Sequence, residues 1–218
     1  MGCYASIPAL RIASGCLQTS YAEHPRTDIV HTELCTLHLD LGDHSPEQVV
    51  VQSLFADGFI RYSLTGDPVD ASLEILATAE HIIPASEHAM RWVVSDWGMQ
   101  MTLSREVPKL VNGALRAFVV QLLARAEVSL GQLRDVQFAV HPGGPRIIDA
   151  VRDSLELDEE QVRVSRDVLR DYGNMSSATL PHVWQRMLES KEIASDTTIV
   201  SLAFGPGLTV CGAVFRKR

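Results

Sequence analysis

The chain has 218 residues, of which 46% are hydrophobic and 21% are charged, proportions that are ordinary for a soluble globular protein. Its 27 acidic and 19 basic residues give a net charge of −8, which argues against a nucleic-acid or anionic-membrane surface. No apolar run reaches the ~18 residues of a membrane helix, and no secretory signal is recognisable. Four cysteines without a CxxC pair favour a reduced, cytoplasmic protein.

The first part of the chain mixes helix-like and strand-like segments. Apolar residues recur at helical spacing over 7–21, which predicts a helix. Residues 27–39 are rich in β-formers and are predicted to contain a strand. After a polar turn we expect a helix over 47–55 and a second strand over 59–64, followed by a loop at 66–68.

The clearest helix of the sequence lies near its middle. Apolar residues at alternating spacings of three and one form one continuous stripe over 107–126. Residues 71–83 and 92–103, which precede it, are predicted strands. Strands alternating with helices indicate a layered α/β fold. The last third continues the alternation, with predicted strands at 136–140, 197–204 and 208–215 and predicted helices at 146–154, 159–170 and 176–190.

Two polar residues stand at the mouths of stiff turns. His141 ends a predicted strand and precedes Pro142-Gly143-Gly144-Pro145, whereas Asn174 follows Gly173 just before a predicted helix. Two donors presented in this way suit a site that stabilises an oxyanion or an enolate. The plainer readings are a structural histidine and a helix N-cap asparagine. A third segment, Phe204-Gly205-Pro206-Gly207, could be a simple hairpin turn.

Cys3 lies just before the first predicted helix, in the segment Gly2-Cys3-Tyr4-Ala5. A cysteine at a helix N-terminus feels the positive end of the helix dipole, which favours the thiolate. Cys3 is therefore a candidate acyl-accepting nucleophile. The alternative is an unremarkable thiol near the chain terminus.

A possible metal site is the set His31, Cys35 and His38, spaced i, i+4 and i+7. On a helix these three side chains could bind zinc. The surrounding β-formers favour a strand, on which His31 and Cys35 would share one face and His38 the other. We therefore predict no metal site.

The segments around His141, around Asn174 and at Phe204-Gly205-Pro206-Gly207 occur in the same order as three motifs of a known family. In these motifs the chain resembles the type III polyketide synthases, the chalcone synthase-like enzymes of the thiolase superfamily. The similarity runs from about Gly2 to Phe215. It implies the layered αβαβα thiolase fold. Residues 71–218 would form a complete C-terminal chalcone and stilbene synthase-like half. Residues 1–70 would form the later part of an N-terminal half, starting at the nucleophile helix and lacking that family's earlier N-terminal strands.

The resemblance also implies a chemistry. Cys3 would take an acyl group from acyl-CoA, while His141 and Asn174 would stabilise the enolate formed when malonyl-CoA loses carbon dioxide. Coenzyme A thioesters would be the substrates, with no further cofactor, and the protein would be a homodimer. The resemblance assigns the substrate cavity to Cys35, His38, Val51, Phe55, Trp92, Met101, Ser176, Phe204, Gly205, Pro206 and Gly207.

Three of these cavity positions depart from the plant chalcone-forming pattern. Met101 stands where that pattern has a second gatekeeper aromatic beside Phe55, and methionine is flexible and unbranched. His38 and Trp92 also differ. The departures favour long aliphatic starters and an alkylpyrone or alkylresorcinol product.

Two alternatives stay open on the sequence. A chain without the earlier strands could be a catalytically incomplete fragment that serves only as a structural or dimerising unit, because unpaired strand edges favour association. The related ketoacyl synthase III of fatty acid synthesis is a weaker match, since its corresponding glycine-rich segments differ.

Overall fold

The computed structural model describes residues 1–67, 69, 71–96 and 98–218. Pro68 of the predicted loop and Trp97 of the predicted strand 92–103 lie outside the described residues. The helices are α1 Ser6–Gln18, α2 Pro46–Leu54, α3 Val107–Arg125, α4 Pro145–Leu155, α5 Glu159–Tyr172 and α6 Thr179–Glu189. The strands are β1 Arg26–Glu33, β2 Gly58–Thr65, β3 Leu73–Ile82, β4 Met90–Val94, β5 Met99–Leu103, β6 Gln137–Val140, β7 Thr198–Gly205 and β8 Thr209–Lys217.

A four-stranded sheet in the order β3-β8-β7-β6 forms the centre of the fold. β6 and β7 run parallel, whereas β8 is antiparallel to both β7 and β3. β1 pairs with β2 and β4 with β5, each as an antiparallel two-stranded sheet.

Both faces of the central sheet are covered, which explains why β7 and β8 are almost continuously apolar. On one face Val200 and Leu202 of β7 join a core with α3 and α4. On the other face Ile199 and Ala203 join a core with α1 and α6. Ile7 of α1 and Ile29 of β1 belong to this second core. Residues from both sides of the predicted boundary at position 70 therefore pack in the same core. The result is a layered α/β arrangement.

Gly212 of β8 permits the close packing of α3 on the sheet. A Cβ atom at this position would lie 2.6 Å from Leu122 and 2.9 Å from Phe118, both on the buried face of α3. Among the described residues, α3 is long and apolar enough by length and composition to cross a membrane. Core helices pass the same test, and the apolar stripe of α3 is buried in the first core.

One predicted strand is wrong in extent, and another is shorter than the segment in which it was expected. The segment 92–103 is the end of one strand and the whole of another, because Ser95 N–H donates to Gly98 O and closes a turn between β4 and β5. The segment 27–39 contains a strand as predicted, but the strand ends at Glu33, and Cys35–His38 forms a 3-10 turn. There Asp57 accepts from both the backbone N–H and the hydroxyl of Thr36, which bends the chain out of the strand.

Candidate active site

Cys3 lies in a 3-10 turn, Gly2–Tyr4, directly before α1. The turn packs against the end of β7 and the loop that follows it. Gly205 leaves room for the turn there, because a Cβ atom would lie 2.1 Å from the Tyr4 ring. Gly2 has a left-handed φ of 61° and would meet Pro206 at 3.3 Å if it carried a Cβ. The predicted glycine-proline-glycine turn therefore holds the cysteine turn in place through close backbone packing.

The sulfur of Cys3 is buried, with the residue 4% exposed, and it donates to Ser176 Oγ over 3.9 Å. The pKa of the Cys3 thiol is raised to about 11, chiefly by burial and also by the negative charge of Glu33. Hydrogen bonds from the Ser176 and Asn174 side chains to the sulfur lower it. The expectation that the helix dipole favours the thiolate is not met in this structure, because desolvation is the larger effect.

His141 follows β6, and its backbone N–H donates to Leu202 O over 2.7 Å. Gly144 then forms the N-cap of α4, with Pro145 at the first helical position. The imidazole is 2% exposed, and among the described residues neither ring nitrogen has a hydrogen-bond partner. Burial lowers the pKa of His141 to about 4, so the ring is neutral at physiological pH. Buried polar atoms are rarely left unpaired, and such a ring is suited to meet a ligand.

Asn174 is fixed at both its backbone and its side chain. Its N–H donates to Leu54 O at 2.7 Å, and its carbonyl accepts from Ala56 N–H at 2.9 Å. Its side-chain oxygen accepts from Ser176 N–H at 3.0 Å and from the Thr179 hydroxyl at 3.4 Å. Because the oxygen is occupied, the amide NH₂ is free to face the sulfur of Cys3.

A small cavity lies between α2, the 3-10 turn at Cys35–His38 and the β4–β5 hairpin. Its volume is about 20 Å³, which is close to the space of one water molecule. Phe55 meets the Trp92 ring edge-on at 6.0 Å between centroids, and His38 lies 6.1 Å from the same ring. Six residues predicted for the substrate cavity line it together, namely Cys35, His38, Val51, Phe55, Trp92 and Met101.

The other predicted cavity residues lie elsewhere. Ser176 contacts Cys3, and Gly205, Pro206 and Gly207 form the loop against the cysteine turn, with Gly207 at a φ of 119°. Phe204 is 2% exposed and belongs to the first core.

Gln48, Gln52 and Met99 line the small cavity and were missed by the sequence reasoning. The two glutamines share the helical face of α2 that carries Val51 and leads to Phe55, so their spacing of three and four was the available signal. Gln48 also donates to Met101 O, and Glu47 accepts from Leu103 N–H. These two bonds join α2 to the hairpin.

The residues weighed as zinc ligands are not arranged as a site. His31 lies on β1 and bonds to Ser177 and Tyr62, whereas Cys35 and His38 lie in the 3-10 turn. Within the described ranges, no group of three or more histidine, cysteine or acidic side chains could hold a metal ion.

A larger groove of about 690 Å³ lies between α1, β2, β3 and α6. Tyr62, Trp184 and Phe215 form part of its wall. It contains none of the predicted site residues, so volume alone does not identify the candidate active site.

Comparison with known proteins identifies the family. Residues 74–217 match the family described as chalcone and stilbene synthases, C-terminal domain. Probable polyketide synthase 1 of Dictyostelium discoideum is 32% identical over 223 residues, covering 100% of this chain and 7% of that protein. Type III polyketide synthase C of Arabidopsis thaliana is 28% identical, covering 100% of this chain and 58% of that protein.

The fold has the same relatives. The crystal structure of the C-terminal type III polyketide synthase domain of Steely1, a type I/III hybrid from Dictyostelium, superposes with a TM-score of 0.90 at 32% identity. The match covers 100% of this chain and 60% of that domain. This chain thus spans about three fifths of the Arabidopsis relative and of the Dictyostelium domain. The predicted thiolase-like fold is confirmed, and the chain belongs to the chalcone and stilbene synthase family of type III polyketide synthases.

Proposed function

We propose that this chain carries the acyl-transfer and condensation residues of a type III polyketide synthase, with Cys3 as nucleophile and His141 and Asn174 as donors to the thioester oxygen. The observation that carries the proposal is the state of His141. Its imidazole is buried and neutral, with both nitrogens unpartnered among the described residues. It follows β6, which ends beside β7, and β7 leads to the loop against the Cys3 turn.

Acyl loading begins with the neutral Cys3 thiol. The neutral imidazole of His141 accepts the thiol proton, and the thiolate attacks the carbonyl carbon of an acyl-CoA. The carbon–sulfur bond to coenzyme A breaks, and the departing thiolate takes the proton back from His141. A neutral histidine is required for the first step, and the low pKa of about 4 keeps it neutral.

Chain extension uses malonyl-CoA. Its bond to the carboxylate breaks, carbon dioxide leaves, and the electron pair is delocalised onto the thioester oxygen as an enolate. Nitrogen–hydrogen donors of His141 and Asn174 stabilise that oxygen. The enolate carbon attacks the acyl carbonyl on Cys3, the sulfur leaves as thiolate, and a proton from solvent restores the thiol.

A long-chain starter and an alkylpyrone or alkylresorcinol product are the finer part of the proposal. Met99 and Met101 line the small cavity, and methionine side chains adapt easily to extended aliphatic groups. At about 20 Å³ the cavity must widen to admit such a chain. α2 has no fully buried residue, so a shift of α2 away from the hairpin would break mainly the Gln48 and Glu47 hydrogen bonds and the packing of Val51.

The relation of the chain to a whole enzyme is also proposed. We assign residues 1–70 to the later part of an N-terminal thiolase-like half and residues 71–218 to the C-terminal half. A homodimer in the cytoplasm remains our prediction.

A structural or dimerising role without catalysis is the second candidate. β1 and β2 form a two-stranded sheet, and Val30 on β1 and Phe59 on β2 are 54% and 63% exposed. Two strands alone are marginally stable, and exposed apolar strand residues favour association with another strand or chain.

Intact-mass spectrometry after incubation with a long-chain acyl-CoA separates the two candidates. We expect one acyl adduct, absent from Cys3→Ala and retained in Cys16→Ser, which removes an exposed thiol. Malonyl-CoA should then release the adduct as an extended product. A folded protein that forms no adduct at Cys3 would favour the non-catalytic role.

A further inference from the structure

A polar chain next to the candidate nucleophile has no part in the mechanism above. It consists of Tyr62, His31, Ser177 and Glu33, here called the His31 clamp. His31 Nε2 lies 3.1 Å from the Tyr62 hydroxyl, and Nδ1 lies 2.9 Å from Ser177 Oγ. Ser177 Oγ contacts Glu33 Oε1, and Ser177 N–H donates to the same oxygen at 3.2 Å.

The donors and acceptors of the clamp can be assigned in one direction. A carboxylate only accepts, so the Ser177 hydroxyl donates a hydrogen bond to Glu33. The Ser177 oxygen therefore accepts from His31 Nδ1–H. Nε2 is then the unprotonated nitrogen and accepts from the Tyr62 hydroxyl. His31 is thus held as the Nδ1–H tautomer, with both nitrogens satisfied in a residue only 7% exposed.

The clamp ends at the residue beside the partner of Cys3. Ser176 has a left-handed φ of 49°, a conformation that costs energy for a residue with a side chain and needs support from its surroundings. Its hydroxyl oxygen accepts a hydrogen bond from the Cys3 thiol, and its backbone N–H donates to the side-chain oxygen of Asn174. Ser177 is the next residue in the chain, so the clamp lies one peptide bond from these two contacts.

We propose that His31 is a positioning residue that acts through Ser177 to hold Ser176 and Asn174 on the sulfur of Cys3. β1 is suited to this role because its alternation turns Ile29, His31 and Glu33 to the same, inner face. The inference rests on Cys3 being the nucleophile of the proposed function.

The charged and titratable groups around His31 come from several elements. Glu33 follows on β1, Tyr62 lies on β2, and Cys3 and Cys35 lie within range of the Glu33 charge. Burial lowers the pKa of His31 although Glu33 raises it, so His31 stays neutral. The Ser176 and Asn174 hydrogen bonds lower the pKa of Cys3. Loss of the clamp should therefore raise it.

Two near-isosteric variants separate positioning from simple packing. The amide nitrogen of asparagine occupies the place of Nδ1, so His31→Asn keeps the hydrogen bond to Ser177 and loses the one to Tyr62. The amide of glutamine reaches the place of Nε2, so His31→Gln keeps the Tyr62 contact and loses Ser177. The readout is the ¹³Cβ chemical shift of Cys3 titrated against pH, assigned by its absence in Cys3→Ala.

We expect Cys3 to titrate in His31→Asn as it does in the parent chain. In His31→Gln it should titrate at least about half a pH unit higher, which is about a threefold smaller thiolate fraction at fixed pH. Ser177→Ala should displace the Cys3 titration by the same amount. The double variant His31→Gln/Ser177→Ala should show no larger displacement than either single variant. Equal profiles for the asparagine and glutamine variants would overturn the proposal, as would an unshifted Ser177→Ala. The titration needs no acyl-CoA, so a failure of acyl loading leaves its result intact.

Discussion

The sulfur of Cys3 lies 3.9 Å from the hydroxyl oxygen of Ser176, 173 positions further along the chain. The contact joins the turn before α1 to the turn before α6. Two opposing influences act on the pKa of the Cys3 thiol. Burial and Glu33 disfavour the thiolate, whereas the donors of Ser176 and Asn174 stabilise it. The reactivity of Cys3 therefore depends on residues of the other end of the chain.

Removal of the Ser176 hydroxyl should make Cys3 less reactive. One hydrogen bond to a charged group contributes about 1.5–3 kcal/mol, so Ser176→Ala should slow iodoacetamide alkylation of Cys3 at pH 8.5 by about tenfold or more. Alkylation at the Cys3 peptide is followed by mass spectrometry. Ser53→Ala, on the exposed side of α2, is the matched control and should leave the rate unchanged. An unchanged rate in Ser176→Ala would mean that the 3.9 Å contact does not stabilise the thiolate.

A methyl group at Gly205 should displace the cysteine turn. The added Cβ would lie 2.1 Å from Tyr4, and overpacking of this kind costs about 1–3 kcal/mol. Urea unfolding of Gly205→Ala should show this loss, and truncation of the ring in a Tyr4→Ala background should reduce it.

Gly113→Ala is the control for that experiment. Gly113 lies within α3 and has no atom within 4 Å of an added Cβ, so alanine there should stabilise the chain by about 0.5–1 kcal/mol. A Gly205→Ala variant as stable as the parent would show that Tyr4 moves aside without cost.

The sequence was most informative where backbone geometry depends on glycine and proline. His141 and Asn174 stand out because the residues around them fix stiff turns, and both turns are present in the structure. The apolar stripe over 107–126 correctly predicted the start of α3 at Val107 and predicted its end to within one residue. Where Asp96 and Gly98 signalled a turn, a run of β-formers on both sides led to one long strand instead of the β4–β5 hairpin.

The parts that could not be predicted depend on contacts distant in sequence. Glu33 and Ser177 are 144 positions apart and meet only because β1 packs beside the turn before α6. The raised pKa of Cys3 arises from burial by the whole fold, which local sequence does not encode. Periodicity could have indicated Gln48 and Gln52, but not that the hairpin faces them.

Protonation of His141 should destabilise the chain in acid. Burial lowers its pKa from an ordinary 6.5 to about 4 in the folded state, so the unfolded chain binds the proton more tightly. Stability from this group is complete above pH 6.5 and is lost as the pH falls towards 4, by up to about 3 kcal/mol.

Urea unfolding at several pH values between 4 and 7.5 measures this effect. His141→Gln cannot take up the proton, so its unfolding free energy should fall less steeply than that of the parent over this range. His24→Gln, at an exposed position, is the control and should follow the parent. Parallel curves for the parent and His141→Gln would show that His141 is not buried in the neutral form.

A larger, stiffer side chain at Met101 should select against long acyl groups. Met101 is 4% exposed and lines the small cavity together with Phe55, so Met101→Phe would narrow the space between α2 and β5. Acyl loading on Cys3, followed by intact mass with a series of acyl-CoA chain lengths, should fall by about tenfold for the longest chains. This loss corresponds to the cost of about 1–3 kcal/mol for one misfitted aliphatic group. Short chains should load as before. Val94→Phe, 79% exposed on the same hairpin, should keep the parent's preference. Uniform loss of all chain lengths in Met101→Phe would indicate misfolding of the hairpin rather than selection by the cavity.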